Sequence, residues 1–238
     1  MGILLYLQIS YQTASSYVDD PSNVIKFATW NVRYISHKQE ELDQVMEQNK
    51  IKNAVITKTK KKLKVTVIYS GVDEDVHAQS GIMIWIHKSL TKSVTFHKYW
   101  SNRIIKLRCK INSGYHTILG LYAPEEGKNE ISEDFYKQLQ FIIEQINKNY
   151  YLLLIGDLNA RIGNIRTPNI IGTNGELIVN NNGKKLMDFC IFNNFKIMNS
   201  FFKHKDIHKI TWSIRETKSI IDYTIVNQKT GKLIKDVR

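Results

Sequence analysis

Proline is scarce in this chain, with 3 residues in 238, and glycine numbers only 12. That scarcity argues against a long disordered or linker-rich segment and for one large domain with a well-buried core. Cysteine is scarcer still. Cys109 and Cys190 both sit in apolar, patterned segments and are expected to be buried free thiols rather than a disulfide or a metal site. No apolar run approaches the ~20 residues that cross a bilayer. The opening Ile3-Leu4-Leu5-Tyr6-Leu7 has no Lys or Arg before it. It is also shorter than the ~7–15 apolar residues of a signal peptide. Gly2 is followed by Tyr6 where a myristoylation signal wants Ser or Thr. Residues 1–22 are therefore expected to be an extension without structure of its own, residues 23–238 to form the domain, and the chain to lie inside the cell, in nucleus or cytoplasm. There is no internal repeat and no low-complexity block.

Positive charge is what the chain has in excess. Lys and Arg total 34 against 22 Asp and Glu, a formal net charge of +12. Such a surface favours polyanionic partners, nucleic acid first, by releasing condensed counterions. The densest cluster is Lys60-Lys61-Lys62 with Lys64. A run of this kind can also be only a solvated surface, and a chain rich in Lys, Asn and Ile can reflect the base composition of its gene.

Periodicity gives a succession of elements. Val24–Trp30 alternates and reads as a strand, residues 38–49 as a helix, and Asn53–Thr57 as a buried strand. Lys64–Ser70, Gly81–His87, Ser93–Lys98, Arg103–Lys110 and His116–Tyr122 follow at short spacing, a β-rich centre. Ser132 is the expected N-cap of a helix whose stripe is Phe135, Leu139, Ile142, Ile143 and Ile146. Tyr151–Ile155 is a continuous apolar run, hence a strand buried on both faces. After an Asn- and Gly-rich loop from Ala160 to Asn182 come a helix over 183–193, then strands at Phe195–Asn199, near Trp212 and at Ser219–Val226. The order implies two packed mixed sheets with helices outside, a four-layer α/β sandwich.

Four segments carry chemistry-bearing residues at or just beyond a strand end: Thr29-Trp30-Asn31-Val32-Arg33, Leu121-Tyr122-Ala123-Pro124, Ile155-Gly156-Asp157-Leu158-Asn159-Ala160 and Ile220-Ile221-Asp222-Tyr223. In this order they resemble the endonuclease/exonuclease/phosphatase superfamily, whose fold is DNase I-like. The flanks Gly120–Tyr136, Asn182-Gly183 into Leu186–Cys190, and Thr211-Trp212 resemble more closely the endonuclease domains of non-LTR retrotransposons and the craniofacial development protein 2-like group. The likeness runs from about residue 24 to the end.

The resemblance implies a role for each residue. Asp157 would orient or deprotonate the attacking water, and Asn159, sharing its face of an extended segment, would hydrogen-bond the phosphate. Asn31 would stand at metal and phosphate, Tyr122 would donate its hydroxyl to phosphoryl oxygens, and Asp222 would orient a histidine. Mg²⁺ would be the cofactor and DNA the partner, with Arg161 and Trp212 as candidate nucleic-acid contacts. Each also has a plainer reading. A GDxN turn is commonly only a turn, Tyr122 an ordinary strand end, Asp222 a surface acid and Trp212 a core aromatic.

Two departures qualify the match. Where the family has its principal metal-binding Glu, this chain has Lys58. At ~4 Å and an effective dielectric near 20, an ammonium and a divalent ion repel by roughly 8 kcal/mol, which a flexible Lys relieves by swinging away. The chain also stops at Lys235-Asp236-Val237-Arg238, where the family continues into a strand carrying Ser-Asp-His. A missing C-terminal strand would leave a sheet edge exposed, and His204 and His208, in the basic stretch Lys203–Lys209, are expected to be solvated. The expectation is a retrotransposon-type Mg²⁺ endonuclease that is degenerate or inactive. The alternatives are a non-catalytic nucleic-acid-binding remnant, a truncated product without function and, among enzymes, a lipid or inositol phosphatase.

Overall fold

A computed structural model describes residues 4–10, 24–31, 39–57, 67–70, 81–111 and 114–237. In chain order its elements are β1 (Leu4–Ser10), β2 (Val24–Asn31), α1 (Gln39–Gln48), β3 (Ile51–Thr57), β4 (Val67–Ser70), β5 (Ile82–Ile86), β6 (Val94–Ser101), β7 (Ile104–Ile111), β8 (Gly114–Tyr122), α2 (Asn129–Glu144), β9 (Tyr151–Asp157), α3 (Asn181–Phe192), β10 (Phe195–Ile197), α4 (Asp206–Lys209), β11 (Trp212–Ile214), β12 (Thr217–Ser219), β13 (Asp222–Asn227), α5 (Gln228–Gly231) and β14 (Ile234–Val237). One sheet has the order β14-β1-β2-β3-β5-β4, the other β10-β13-β9-β8-β7-β6, and β11-β12 is a separate hairpin. Both large sheets are mixed: β2 with β3 and β8 with β9 are parallel, and their other pairs are antiparallel.

The strand period of two sorts the apolar residues into three cores. Along β9, Leu153 and Ile155 point between the sheets, where they meet Phe27, Val55, Ile82 and Leu107. Leu152 and Leu154 point the other way, onto Phe135, Leu139 and Ile142 of α2 and Leu186 and Phe189 of α3. A third core joins Met46 of α1 to Ala54, Ile56, Met83 and Trp85, and the Trp85 indole N–H donates to Asp43 Oδ1 at 2.9 Å, tying α1 to its sheet. The layers are therefore helix, sheet, sheet, helix pair, as the patterning implies. Both thiols are free and buried, Cys109 between the sheets and Cys190 on the inward face of α3. Among the described residues no helix is long and apolar enough to cross a membrane.

Several elements differ from the sequence expectation. Leu4–Ser10, assigned to an unstructured extension, is a strand paired with β2 over seven residues and with β14. Its Leu-, Tyr- and Ile-rich sequence suits a strand, and it pairs along one edge of β2. The last strand, β14, had no distinct sequence signal at only four residues. Ser132 does not cap α2. The helix begins at Asn129, Ser132 N–H already bonds Lys128 O at 2.9 Å, and its side chain is buried. His204 is not a free surface ring: its Nε2 lies 2.7 Å from Asp236 Oδ1, joining the basic loop to β14. The Lys60–Lys64 cluster lies outside the described residues.

Gly156 and His116 each give a test of this packing, with Gly127 as a control. Gly156 has φ +149, and a Cβ there would stand 1.9 Å from the Leu121 carbonyl oxygen, whereas Gly127 has φ +87 with nothing within 4 Å. Gly156→Ala is expected to cost more than about 3 kcal/mol and Gly127→Ala about 1 kcal/mol, read by urea denaturation. His116 is buried and stacked on Tyr151 at 4.5 Å. Burial, and next the charge of Lys229, lower its pKa from 6.5 to about 4. The unfolded chain therefore binds a proton between pH 6.5 and 4 that the folded chain refuses. Folding stability is expected to fall over that window on acidification, by on the order of 3 kcal/mol in full, and His116→Phe to flatten the slope.

Candidate functional site

The register of three adjacent strands sets out a row of side chains. Tyr122 pairs with Asp157 across the parallel β8–β9 ladder, and Asp157 pairs with Asp222 across the antiparallel β9–β13 ladder. Register partners share a face, so phenol and two carboxylates stand side by side at strand spacing, ~4.8 Å apart along the sheet. All three are buried. Two adjacent buried carboxylates are stable as anions only beside positive charge or several hydrogen-bond donors.

Asn31 ends β2 and pairs with Thr57, which pairs in turn with Ile82. Val55 and Ile82 lie 3.2 Å from where a Cβ on Gly120 would stand, and Gly120 is two residues before Tyr122. The strand ends of both sheets thus reach the same edge of the sandwich. The structure brings Tyr122, Asp157 and Asp222 together and carries the backbone of Asn31 to the same edge. Lys58 follows Thr57 and lies outside the described residues.

Asn159 is arranged differently from the extended segment expected of it. The strand stops at Asp157, and Asn159 takes φ +46. Its N–H donates to Asp157 Oδ1 at 3.0 Å, the Asx-type bond that makes GDxN a turn. Its Nδ2 donates to Ala123 O at 2.8 Å, which stitches the turn to the end of β8.

This turn is held from below by the start of α3, a support that the sequence reading missed. Asn182 Nδ2 donates to Pro124 O and to Asn159 O, both at 3.0 Å. Asn180 caps α3 by accepting from Gly183 N–H at 2.7 Å and also accepts from Arg161 N–H at 2.8 Å. The Glu126 carboxylate accepts the N–H groups of Asn181 and Asn182, at the positive end of the helix dipole. The Asn-Asn-Asn-Gly string at 180–183 was the available signal, because Asn is a preferred N-cap.

Asp222 is fixed by its backbone. Its N–H and that of Ile221 donate to Thr211 Oγ1 at 3.1 and 3.0 Å, and its carbonyl accepts from Asn199 Nδ2 at 3.2 Å. Neither His204, which is engaged by Asp236, nor His208, in exposed α4, is the histidine that the resemblance would pair with Asp222. Arg161 is paired with Glu176, whose other oxygen accepts Ile220 N–H at 3.1 Å, so this guanidinium fastens the 160–182 loop to the approach to β13. Trp212 is half-buried at the start of the β11–β12 hairpin.

Arg103 is a second residue that the sequence reading passed over. Its Nη1 donates to Tyr122 O at 3.2 Å and its guanidinium lies 5.3 Å from the Tyr122 ring centroid. Among the described residues it makes no salt bridge. Burial lowers its pKa, opposed by Tyr122 and Glu125, yet a guanidinium remains charged near neutrality. Burial raises the Tyr122 pKa well above 10, helped by the charges of Asp157 and Glu125 and opposed by Arg103. The phenol therefore stays protonated and can donate to an anionic oxygen.

Mg²⁺ takes hard oxygen ligands, commonly one or two carboxylates. Asp157 and Asp222 supply such oxygens. No group of three or more His, Cys, Asp and Glu among the described residues could hold a metal ion, however. The described residues do not make up a Mg²⁺ site.

No family model matches the chain. It is 30% identical to craniofacial development protein 2 of Tragulus javanicus over 157 residues, covering 63% of this chain and 27% of that protein. It is 28% identical to craniofacial development protein 2 of Bos taurus over 221 residues, covering 84% and 36%. The chain thus spans only about a quarter to a third of these relatives. Among solved structures it resembles the endonuclease domain of TRAS1, a telomere-specific non-LTR retrotransposon, with TM-score 0.63, 17% identity and 89% of each chain covered. It resembles the AP endonuclease LMAP of Leishmania major with TM-score 0.68, 13% identity and coverage of 96% and 87%. A third neighbour is the 3′ phosphatase NExo from Neisseria, bound to a product DNA hairpin, with TM-score 0.62, 15% identity and coverage of 89% and 90%. The structural neighbours belong to the endonuclease/exonuclease/phosphatase family and include a retrotransposon endonuclease, so the resemblance expected from sequence is borne out. The fold is that of these nucleases and phosphatases, two mixed sheets flanked by helices in DNase I-like fashion.

The hold of α3 on the turn is testable. Asn182→Ala leaves the buried Pro124 carbonyl without this donor and Asn159 O with only the longer bond from Asn180 Nδ2, and is expected to cost about 2 kcal/mol in chemical denaturation. Amide exchange at Leu158 and Ala160 should quicken with it.

Proposed function

We propose that this chain is a retrotransposon-type endonuclease module that engages DNA at the strand-end row and whose hydrolytic chemistry is degenerate. The observation that carries the reading is the register of Tyr122, Asp157 and Asp222 on three neighbouring strands, with Arg103 beside Tyr122. Support comes from the net charge of +12 and from the nuclease and phosphatase neighbours, one of them bound to a DNA hairpin.

Phosphodiester hydrolysis needs an oriented water and positive or proton-donating groups on the phosphoryl oxygens as charge builds there. Asp157 is the group to orient or deprotonate the water. Tyr122, kept protonated by its surroundings, and Arg103 are the donors to the phosphoryl oxygens. Asn159 shapes the turn beside Asp157 and is a further hydrogen-bonding group for the same substrate. Asp222 completes the row, and Asn31 ends β2 at the same edge. In this reading Lys58 places a cation where a divalent ion would need an anion, so DNA binding outlasts catalysis. A non-catalytic nucleic-acid-binding remnant is the same reading carried to its limit, favoured by the lack of an acidic cluster among the described residues.

Supercoiled plasmid nicking with Mg²⁺ tests it. The chain as it stands is expected to nick near background. Lys58→Glu should raise the rate at least tenfold, and Mg²⁺ affinity likewise in calorimetry. Adding Asp157→Asn to Lys58→Glu should abolish the gain. Vigorous nicking by the unaltered chain would overturn the degeneracy, and failure of every form to bind DNA at low salt would overturn the nucleic-acid reading.

A further inference from the structure

Away from the strand ends, the outer face of the second sheet carries a cluster of cations that the row does not use. Ile105, Leu107, Cys109 and Ile111 of β7 point between the sheets, so Lys106, Arg108 and Lys110 stand together on the opposite face. On that face Lys98 pairs with Lys106 and Phe96 with Arg108 across the β6–β7 ladder, while Tyr115 pairs with Lys110 across β7–β8. Alternate strand residues lie about 7 Å apart, so the cations form a strip from near the strand-end level to roughly 20 Å below it.

Rings are interleaved with these charges. The Arg108 guanidinium lies 5.4, 5.6 and 6.0 Å from the centroids of Phe96, Tyr115 and Tyr150. Its Nε donates to Thr95 Oγ1 at 3.2 Å, which fixes the plane. Lys98 sits 3.7 Å over Trp100, and Lys106 and Lys110 lie 5.8 and 5.9 Å from Phe96 and Tyr115. Among the described residues, none of the four cations makes a salt bridge with a carboxylate. Burial and then the charges of Arg108 and Lys98 depress the Lys106 pKa, as befits like charges gathered without a counter-anion.

We propose that this face of β6, β7 and the start of β8 is a second nucleic-acid surface, and that it takes a single strand. Four unneutralised cations along a strip call for a run of phosphates. Rings set among them call for bases free of a duplex, whose π-faces stack on aromatic side chains and on a held guanidinium. An acidic peptide would satisfy the charge but has no bases to stack on the rings. The surface does not depend on hydrolysis at Asp157.

The test is fluorescence anisotropy of the full chain with a labelled oligo-dT of about 20 nucleotides, a duplex of equal length and poly-glutamate, across a salt series. Replacing Lys98, Lys106, Arg108 and Lys110 together by Ser is expected to weaken oligo-dT binding at least tenfold. It should also flatten the log–log salt slope by roughly 2–3, at ~0.7 per lost phosphate contact. Phe96→Ala should weaken binding several-fold with the salt slope unchanged. Lys98→Arg with Lys106→Arg and Lys110→Arg should retain binding, which separates lost charge from lost fold. The proposal fails if Ser at Lys137, Lys148, Lys184 and Lys232 weakens oligo-dT binding as much. It fails equally if the four substitutions on the face spare oligo-dT and remove only duplex binding, or if poly-glutamate binds as tightly as oligo-dT.

Discussion

The placing of β9 between β8 and β13 is the constraint from which the candidate site follows. The parallel ladder on one side and the antiparallel ladder on the other bring Tyr122 and Asp222 level with Asp157. Gly156 lets the backbone pass under the Leu121 carbonyl at a distance no side chain tolerates. Apolar residues alternating onto both faces of β9 anchor the strand in two of the three cores at once, so a slip of one residue would invert both. A buried acid at the end of so constrained a strand is held in place without the entropy cost of ordering it when a ligand arrives.

Around that strand end, loops are fastened chiefly through amides. Asn182 and Asn180 at the start of α3, together with Glu126, tie together the end of β8, the turn after β9 and the helix N-terminus. Thr211 and Asn199 do the same for the start of β13. Arg161 and Glu176 close the long loop onto it. The strand-end row thus rests on a second set of residues whose work is positional, Asn180, Asn182 and Asn199 among them.

The architecture was legible because periodicity reports burial directly. The doubly apolar Tyr151–Ile155, the alternating strands from Gly81 to Tyr122 and the stripe of α2 all follow the sorting of side chains between water and core. The site was legible only through the four strand-end segments and the family they resemble. Less visible were the contacts that depend on tertiary placement. Ser132 has the chemistry of a cap but is drawn into α2 by burial. Arg103 sits in an ordinary β-turn, and only the neighbouring strand end makes its guanidinium notable. Leu4–Ser10 has a strand composition but no partner nearby in sequence, because its partner β14 lies at the opposite end of the chain. His204 meets Asp236 for the same reason.

The claim that Tyr122, Asp157 and Asp222 face one nucleic-acid ligand is tested most directly by amide hydrogen exchange of the full chain with and without a short DNA duplex at low salt. Joint protection of residues 120–124, 157–160 and 220–223, far apart in sequence, is expected. Saturating duplex binding that leaves these three stretches unchanged would contradict it.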